Sequence, residues 1–121
     1  MKNFVGEELV KVVDGKVYTT SRIVARKLGL SHKELMIKID SIVDNMNELR
    51  VFNPEEMFVE TSYSYPYAYA KNNKIYQEYL INKDGFFLLG MGYTGRKNMC
   101  SKVEIMSAFN LMELESSEYL S

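Results

Sequence analysis

The sequence predicts an α+β fold in a single compact domain, on three observations. Its 121 residues are enough for one hydrophobic core and too few for two. Hydrophobic residues make up 46% of the chain and charged residues 26%, the proportions of ordinary globular proteins. β-Branched runs bounded by turn signals alternate with amphipathic stretches in the order β-β-α-α-β-β-α-α. We therefore expect short β-hairpins, a helix-turn-helix-like α-hairpin and a C-terminal helix pair within residues 1–121.

The first hairpin is marked by its turn. Leu9–Val13 is a short run rich in β-branched residues, which favours a strand. Asp14-Gly15 follows, and this dipeptide is typical of tight primed turns because both central residues need positive φ. Lys16–Thr19 is then the predicted returning strand.

Two capped helices are predicted next. A hydroxyl of Thr20-Ser21 can accept an amide hydrogen bond at the start of a helix that Gly29 ends. Ser31–Glu34 is a capping-box pattern, and the apolar stripe over residues 35–46 predicts a second helix. Two helices joined by a short glycine-containing turn form the outline of a helix-turn-helix.

The second half of the chain has the same order of predicted elements, a hairpin followed by helices. Pro54 is suited to start a brief helix. The alternating aromatics of 58–70 predict a strand that Pro66 confines to a sheet edge or to an extended loop. Asn72-Asn73 is the predicted turn to a partner strand, Ile75–Ile81.

The last two helices are predicted over 85–91 and about 96–116. Asn82 is a good N-cap for the first, and Gly92 is expected to end it. Helical spacing predicts core positions in both helices, and we expect a packed thiol at Cys100. The expected core residues are Met91, Met99, Val103, Met106, Phe109, Leu111 and Met112.

Charge is distributed in blocks although the net charge is only −1. Residues 16–39 carry +5 and residues 71–102 carry +4, whereas 40–60 carry −5 and 104–121 carry −4. The two basic segments could merge into one basic face of the kind that binds a phosphate backbone. The alternative is two solvated surfaces with no partner.

No set of residues predicts catalysis, a metal site or a cofactor. His32 is the only histidine and sits at a helix start, where it is either solvent-exposed or placed to contact phosphate or a base edge. Cys100 is the only cysteine and has no nearby acid–base partner, while Asp40 and Asp44 line one wet helix face. The glycines after Leu89 lack the Gly-Lys-Ser/Thr of a phosphate loop. We therefore expect no enzyme activity.

Tyrosines are concentrated in the second predicted hairpin. Alternate tyrosines on one exposed face would suit a protein interface or base stacking, because each offers a large apolar ring with a polar tip. The alternative is that one face packs on the helices. The tyrosines in question are Tyr63, Tyr65, Tyr67, Tyr69 and Tyr76.

Composition also predicts the location of the protein. No apolar run approaches the length of about 20 residues needed to span a bilayer, and the N-terminus lacks the features of a signal peptide. A single cysteine excludes an internal disulfide framework. We expect a protein of the reduced cytoplasm with no membrane partner.

From Tyr18 to Glu113 the chain resembles the phage regulatory protein Rha family. The resemblance starts weakly with Thr19-Thr20-Ser21, Leu28-Gly29 and His32. Its specific part is the segment 79–97, which reads YLINKDGFFLLGMGYTGRK, followed by Ala108-Phe109-Asn110.

The resemblance implies a regulator of a temperate phage or prophage, acting in the cytoplasm of the bacterial host. The family looks related to DNA-binding or antirepressor modules of the KilA-N and Bro-N kind. It implies no catalytic residue. Many relatives also carry a second, C-terminal domain that this chain does not show.

Together, residues and resemblance predict a DNA-binding regulator of phage or host gene expression. Cations of the helix pair would meet phosphates, and Ser31 with His32 would approach base edges. The predicted contacts are Arg22, Arg26, Lys27, Ser31, His32, Lys33, Lys38, Arg96 and Lys97. The alternative is a protein-binding antirepressor that captures a host or phage regulator or toxin through the tyrosine hairpin. A homodimer is compatible with both functions.

Overall fold

The computed structural model describes residues 8–50, 53–65 and 74–120, and it has the predicted α+β architecture. Within these residues five helices lie against a four-stranded antiparallel sheet. The predicted Asn72-Asn73 turn lies outside them. The elements are β1 (Lys11–Val13), β2 (Lys16–Thr20), α1 (Ser21–Leu28), α2 (His32–Leu49), α3 (Pro54–Met57), β3 (Phe58–Tyr65), β4 (Lys74–Ile81), α4 (Lys83–Gly90) and α5 (Arg96–Leu120).

One sheet joins the two predicted hairpins. Its strand order is β1-β2-β4-β3, so β2 of the first hairpin pairs with β4 of the second. Only the end of β2 is paired in this way, Thr19 with Ile81 and Thr20 with Leu80. The chain therefore leaves the sheet beside β4 and enters α1 there. β3 is an outer strand, which is the edge position that the sequence predicted.

The first turn, the N-caps and the Gly29 stop are confirmed where the sequence placed them, whereas α4 ends at Gly90, before the predicted stop at Gly92. The turn Asp14-Gly15 has φ values of 51° and 79°, as a primed turn requires. Thr20, Ser31 and Asn82 are N-caps whose side-chain oxygens accept amide hydrogen bonds of 3.1, 3.1 and 2.8 Å. Each such cap contributes about 1 kcal/mol to helix stability. Gly29 ends α1 at φ 72°.

The core lies between the sheet and the helices α1, α2, α4 and α5. The rings of Phe86 and Phe109 meet there with their centroids 6.2 Å apart, which joins α4 to α5. The hydrophobic residues of the described chain with no exposed surface are Val24, Leu35, Ile39, Ile81, Leu89, Ile105 and Phe109.

The start of α4 is packed directly against the end of α3. The Asn82 amide donates to the carbonyl oxygen of Met57 at 3.0 Å. A Cβ atom on Gly85 would lie 2.7 Å from the same oxygen, closer than real Cβ contacts come. Glycine is therefore required at this position by a close backbone approach and not by a positive φ.

A lysine closes the loop between α4 and α5. The Nζ of Lys102 donates to the carbonyl oxygens of Gly90 at 3.0 Å and Tyr93 at 2.7 Å. The Gly90 carbonyl lies at the C-terminal end of α4 and the Tyr93 carbonyl in the loop after it, where the helix dipole favours a cation. The side chain of Lys102 is thereby fixed between the two helices.

The predicted packing of α4 and α5 is wrong at five positions. Val103 and Leu111 were expected to pack, yet they are 57% and 60% exposed. Met91 and Met99, expected in the core, are 63% and 61% exposed. Cys100 was expected to be a packed thiol and is exposed. The reason is that α5 is covered on one side only, by β2, α1 and α4, whereas its apolar residues continue onto the other side.

Candidate nucleic-acid interface

Helices α1 and α2 form the predicted helix-turn-helix. Three residues separate them, and Gly29 supplies the left-handed conformation at the end of α1. The amide of Leu30 donates to the Ala25 carbonyl oxygen at 2.9 Å, which closes the turn. A short glycine-containing turn between two helices is the arrangement that DNA-binding helix-turn-helix units use to present their second helix.

A buried serine fixes the starts of both helices to the sheet. The Oγ of Ser21, at the start of α1, accepts the Tyr79 amide of β4 at 2.9 Å. The same oxygen lies 2.8 Å from Nε2 of His32, the first residue of α2. Ser21 has no exposed surface, so one hydroxyl positions two helix starts and one strand.

The environment of His32 favours its neutral form, because its pKa is lowered. Because Oγ already accepts the amide, its single hydrogen is available to be donated to Nε2 of a neutral His32. Burial lowers the pKa of His32, the charge of Glu78 opposes this shift, and the charge of Arg22 adds to it. His32, predicted to contact phosphate or a base edge, is half-buried and uses Nε2 within the protein.

Arg22 connects α1 to the second hairpin. Its Nε donates to Oε2 of Glu78 at 2.8 Å, and Glu78 is 3% exposed. Its guanidinium carbon lies 3.8 Å from the ring centroid of Tyr63, and that ring stacks on Tyr76 at 5.4 Å. A buried carboxylate is stable only when it is paired, so this ion pair is part of the scaffold.

Three of the five tyrosines of the predicted hairpin lie within the described residues. Tyr63 and Tyr76 face each other across β3 and β4, and both are half-buried. Tyr63 also contacts Arg22 of α1. Tyr65 ends β3. Tyr67 and Tyr69 lie outside the described residues, so the predicted role of the hairpin in protein binding stays a prediction.

Contacts between α1 and α5 bring the two basic segments together. The Nζ of Lys27 forms an ion pair with Oε2 of Glu104 at 2.6 Å. The hydroxyl of Ser101 donates to the Lys27 carbonyl oxygen at 2.8 Å. Lys27 was predicted to meet phosphate, and it is paired to a carboxylate instead.

A second contact joins α2 to the loop before α5. A Cβ atom on Gly92 would lie 3.3 Å from Cε of Lys38, so this side chain lies along the loop. Burial and then the negative charge of Glu34 raise the pKa of the Tyr93 hydroxyl, since Glu34 faces it from α2. The first two turns of α2 and the loop that leads into α5 are therefore neighbours.

Five exposed cationic residues lie on the helix ends next to these contacts. They are contributed by the last turn of α1, the first two turns of α2 and the first turn of α5. Ser31, in the turn, is exposed as well. We call the five residues the basic end: Arg26, Lys33, Lys38, Arg96 and Lys97.

The charge of α2 changes sign along its length. Lys33 and Lys38 lie in its first two turns, and Ile37 between them is 61% exposed. Asp44 and Glu48 are exposed on its later turns. Only the N-terminal part of the helix can therefore lie close to phosphates, and recognition helices contact base edges with that part.

A polar groove separates α2 from β3. The Tyr79 hydroxyl donates to Oδ1 of Asp40 at 2.7 Å and lies 3.4 Å from Oε1 of Glu60. Burial, followed by the hydrogen bond and charge of Asp40, strongly raises the pKa of Tyr79. The carboxylates in this groove repel phosphate, which limits any nucleic-acid contact to the basic end.

The exposed cations were predicted from the sequence, but the contacts between distant segments were not. Ser21 and Tyr79 are 58 positions apart, and Lys27 and Glu104 are 77 apart. No local pattern signals such pairs. Among the described residues no group of three His, Cys, Asp or Glu side chains could hold a metal ion. In the same part of the chain, no helix has the length and apolar character needed to cross a membrane.

Comparison with known proteins gives a family and a relative. The family model described as phage regulatory protein Rha matches residues 19–114. An uncharacterized protein of Haemophilus influenzae is 34% identical over 115 residues. The alignment covers 93% of this chain and 60% of that relative, so the chain spans about three-fifths of the relative's length. No solved structure matches the chain at a significant level.

Proposed function

The chain belongs to the phage regulatory protein Rha family, and from this premise we propose that it regulates by binding double-stranded DNA through its helix-turn-helix. The first two turns of α2 enter the major groove, and the surrounding cations contact the phosphate backbone. The observation that carries the proposal is the approach of two basic segments to each other, through the Lys38 side chain beside Gly92 and the Ser101–Lys27 hydrogen bond.

The exposed residues of α2 have separate roles in DNA binding. Lys33 and Lys38 contact phosphates on either side of the groove. Ile37 lies between them and offers an apolar surface to a thymine methyl group. Ser31 and Ser41 are exposed hydroxyls that can donate to or accept from base edges.

The other residues that were predicted to contact DNA have structural roles. Arg22 and Lys27 hold α1 against the hairpin and α5 through their ion pairs. His32 holds the start of α2 through Ser21. These residues position the recognition surface, and the basic end makes the contacts.

The test is a fluorescence polarisation titration of labelled duplex DNA at several salt concentrations. Removing two phosphate contacts with Lys33→Ala and Lys38→Ala should make the slope of log K against log salt shallower by about 1.8, because each contact contributes about 0.9. The matched control is Lys11→Ala with Lys16→Ala, which removes the same charge from exposed positions of the first hairpin. Absence of binding by the wild-type protein, or equal slopes for both double variants, would contradict the proposal.

The protein-binding alternative predicts a different result. In that case the protein would not bind DNA but would capture a partner protein from lysogenic cells. Loss of this partner in a variant with Tyr65→Ala and Tyr67→Ala would favour an antirepressor.

A further inference from the structure

The loop between α4 and α5 is held by side chains of α5 and lies against α2. It spans residues 91–95, and we call it the α4–α5 loop. Lys102 of α5 holds its first part, because Nζ donates to the carbonyl oxygens of Gly90 at 3.0 Å and Tyr93 at 2.7 Å. A Cβ atom on Gly90 would lie 3.0 Å from Cδ of Lys102, so the methylene stem also packs on the backbone. One half-buried side chain thus fixes the course of the loop where α4 ends.

Two residues of α2, one helical turn apart, meet the other side of the α4–α5 loop. A Cβ atom on Gly92 would lie 3.3 Å from Cε and 3.6 Å from Nζ of Lys38. Burial and then the charge of Glu34 raise the pKa of Tyr93, so Glu34 faces the next residue of the loop. Residues four apart lie on the same face of a helix. The loop therefore runs along the face of α2 that carries Lys38.

The α4–α5 loop gives the side chain of Lys38 a surface to lie on. Lys38 is exposed and forms no ion pair with any residue that the structure describes. A lysine at this position can pair with Glu34, since glutamate four residues before lysine is a favourable helical pair. Its stem lies along the loop instead, which leaves the ammonium group available to a phosphate.

We propose that Lys102 is a positioning residue for DNA binding, which fixes the α4–α5 loop so that Lys38 meets its phosphate in an ordered conformation. The inference rests on the proposed function, because it concerns how the same surface binds. Ordering a long side chain on binding is unfavourable, and a side chain that is ordered beforehand avoids this loss. Lys102 makes no DNA contact of its own, since its ammonium group is bonded to the two carbonyls.

The far end of the α4–α5 loop is held independently of Lys102. The side-chain amide of Asn98 donates to the Thr94 carbonyl oxygen at 2.8 Å. Arg96 and Lys97 follow this point in the chain. Loss of the Lys102 ammonium group should therefore disturb Lys38 and leave the start of α5 in place.

The test compares two variants that each remove one lysine between α4 and α5. Lys102→Met removes the ammonium group and keeps an apolar stem of similar length. Lys83→Met is the matched control, because Lys83 joins the same two helices through Asn110 at 2.7 Å and Glu113 at 3.0 Å. It removes the same charge at the start of α4, away from the α4–α5 loop. Circular dichroism melting checks that both variants are folded.

Amide hydrogen exchange without DNA tests whether Lys102 fixes the loop. The amides of Gly92 and Tyr93 donate to the carbonyl oxygens of Leu89 and Gly90, at 3.1 Å each. Their exchange should become about tenfold faster in Lys102→Met, because the loop opens more readily, and stay within about twofold of wild type in Lys83→Met. Equal exchange in the wild type and Lys102→Met would overturn the inference.

Fluorescence polarisation titration with a DNA duplex tests the positioning of Lys38. Relative to Lys83→Met, Lys102→Met should raise the dissociation constant about fivefold, the cost of ordering one long side chain. The slope of log K against log salt should stay the same, because no phosphate contact is lost. In a Lys38→Ala background the same substitution should raise the dissociation constant less than about twofold, because Lys102 acts through Lys38.

The outcomes separate the inference from the proposed function. A salt slope shallower by about 0.9 would mean that Lys102 contacts a phosphate directly. That result, an unchanged dissociation constant, or an equal loss in the Lys38→Ala background would overturn the inference alone, since the wild type would still bind DNA. A wild-type protein that binds no DNA would overturn both.

Discussion

At the residue scale, Gly85 shows how a family motif can be structural. The specific segment of the family resemblance contains Asn82-Lys83-Asp84-Gly85, which a functional interpretation would place in a binding site. In the structure Asn82 caps α4, Lys83 pairs with Glu113 at 3.0 Å, and Gly85 allows the close approach to Met57. The motif builds the junction of α3, α4 and α5.

Gly85→Ala should therefore destabilise the protein by about 2–3 kcal/mol, because its Cβ meets a backbone oxygen that cannot move without displacing α3. Gly92→Ala is the control. Its Cβ would meet the flexible end of Lys38 at 3.3 Å, and its cost should be below about 0.5 kcal/mol. Urea unfolding measures both. Equal losses would mean that the close approach is not what requires glycine.

His32 makes a pH-dependent contribution to stability whose sign is fixed by its environment. Its pKa is lowered below 6.5 in the folded protein, so the unfolded chain binds a proton more readily. The free energy that neutral His32 contributes to folding is therefore fully present above pH 6.5. This contribution is lost as the pH falls through and below that value.

Comparison with His32→Gln isolates this contribution, since His32 is the only histidine and all carboxylates are common to both proteins. The stability advantage of the wild type should shrink as the pH is lowered from about 7.5 to 5.5. Chemical unfolding at a series of pH values measures it. An advantage that stays constant with pH would contradict the neutral, serine-bonded histidine.

At the element scale, α1 is held to the second hairpin by the Arg22–Glu78 ion pair. Arg22→Met leaves a carboxylate that is 3% exposed without its partner, and it should cost about 2 kcal/mol, less than for a fully buried pair because Arg22 itself is partly exposed. Adding Glu78→Met removes the unpaired charge and should recover at least half of the loss. Thermal unfolding compares the variants. A double variant as unstable as the sum of the two single variants would show that the pairing is not what matters.

Elements were predictable where their signals are local. Asp14-Gly15, Thr20, Gly29, Ser31 and Asn82 each act on residues within four positions, and each has the predicted role. The sequence also predicted the edge position of β3 from a single proline.

The packing of α5 was not predictable in the same way. Helical spacing shows that Met99 and Val103 share a face with Met106, and it does not show which face is covered. Burial of one side of α5 depends on where β2, α1 and α4 lie, which only the folded chain determines. Ser21 and Tyr79 illustrate the same limit, since their hydrogen bond joins elements that are far apart in sequence.

At the scale of the whole molecule, the two ends of α2 differ in charge. The acidic residues Asp44 and Glu48 occupy the later turns of α2, and Asp40 and Glu60 share the groove beside β3. The basic segments meet at the other end of α2. The sequence showed that such a meeting was possible, and in the structure the two segments touch where Lys38 lies beside Gly92 and where Ser101 bonds to the Lys27 carbonyl.

Binding of DNA through a single surface is tested most directly by recording the amide NMR spectrum of the protein during titration with a DNA duplex. We expect the amides of residues 26–38 and 92–98 to shift together as DNA is added, while those of Lys11 and Lys16 do not shift. A duplex that shifts no amides, or shifts only one of the two segments, would contradict a single DNA-binding surface built from both.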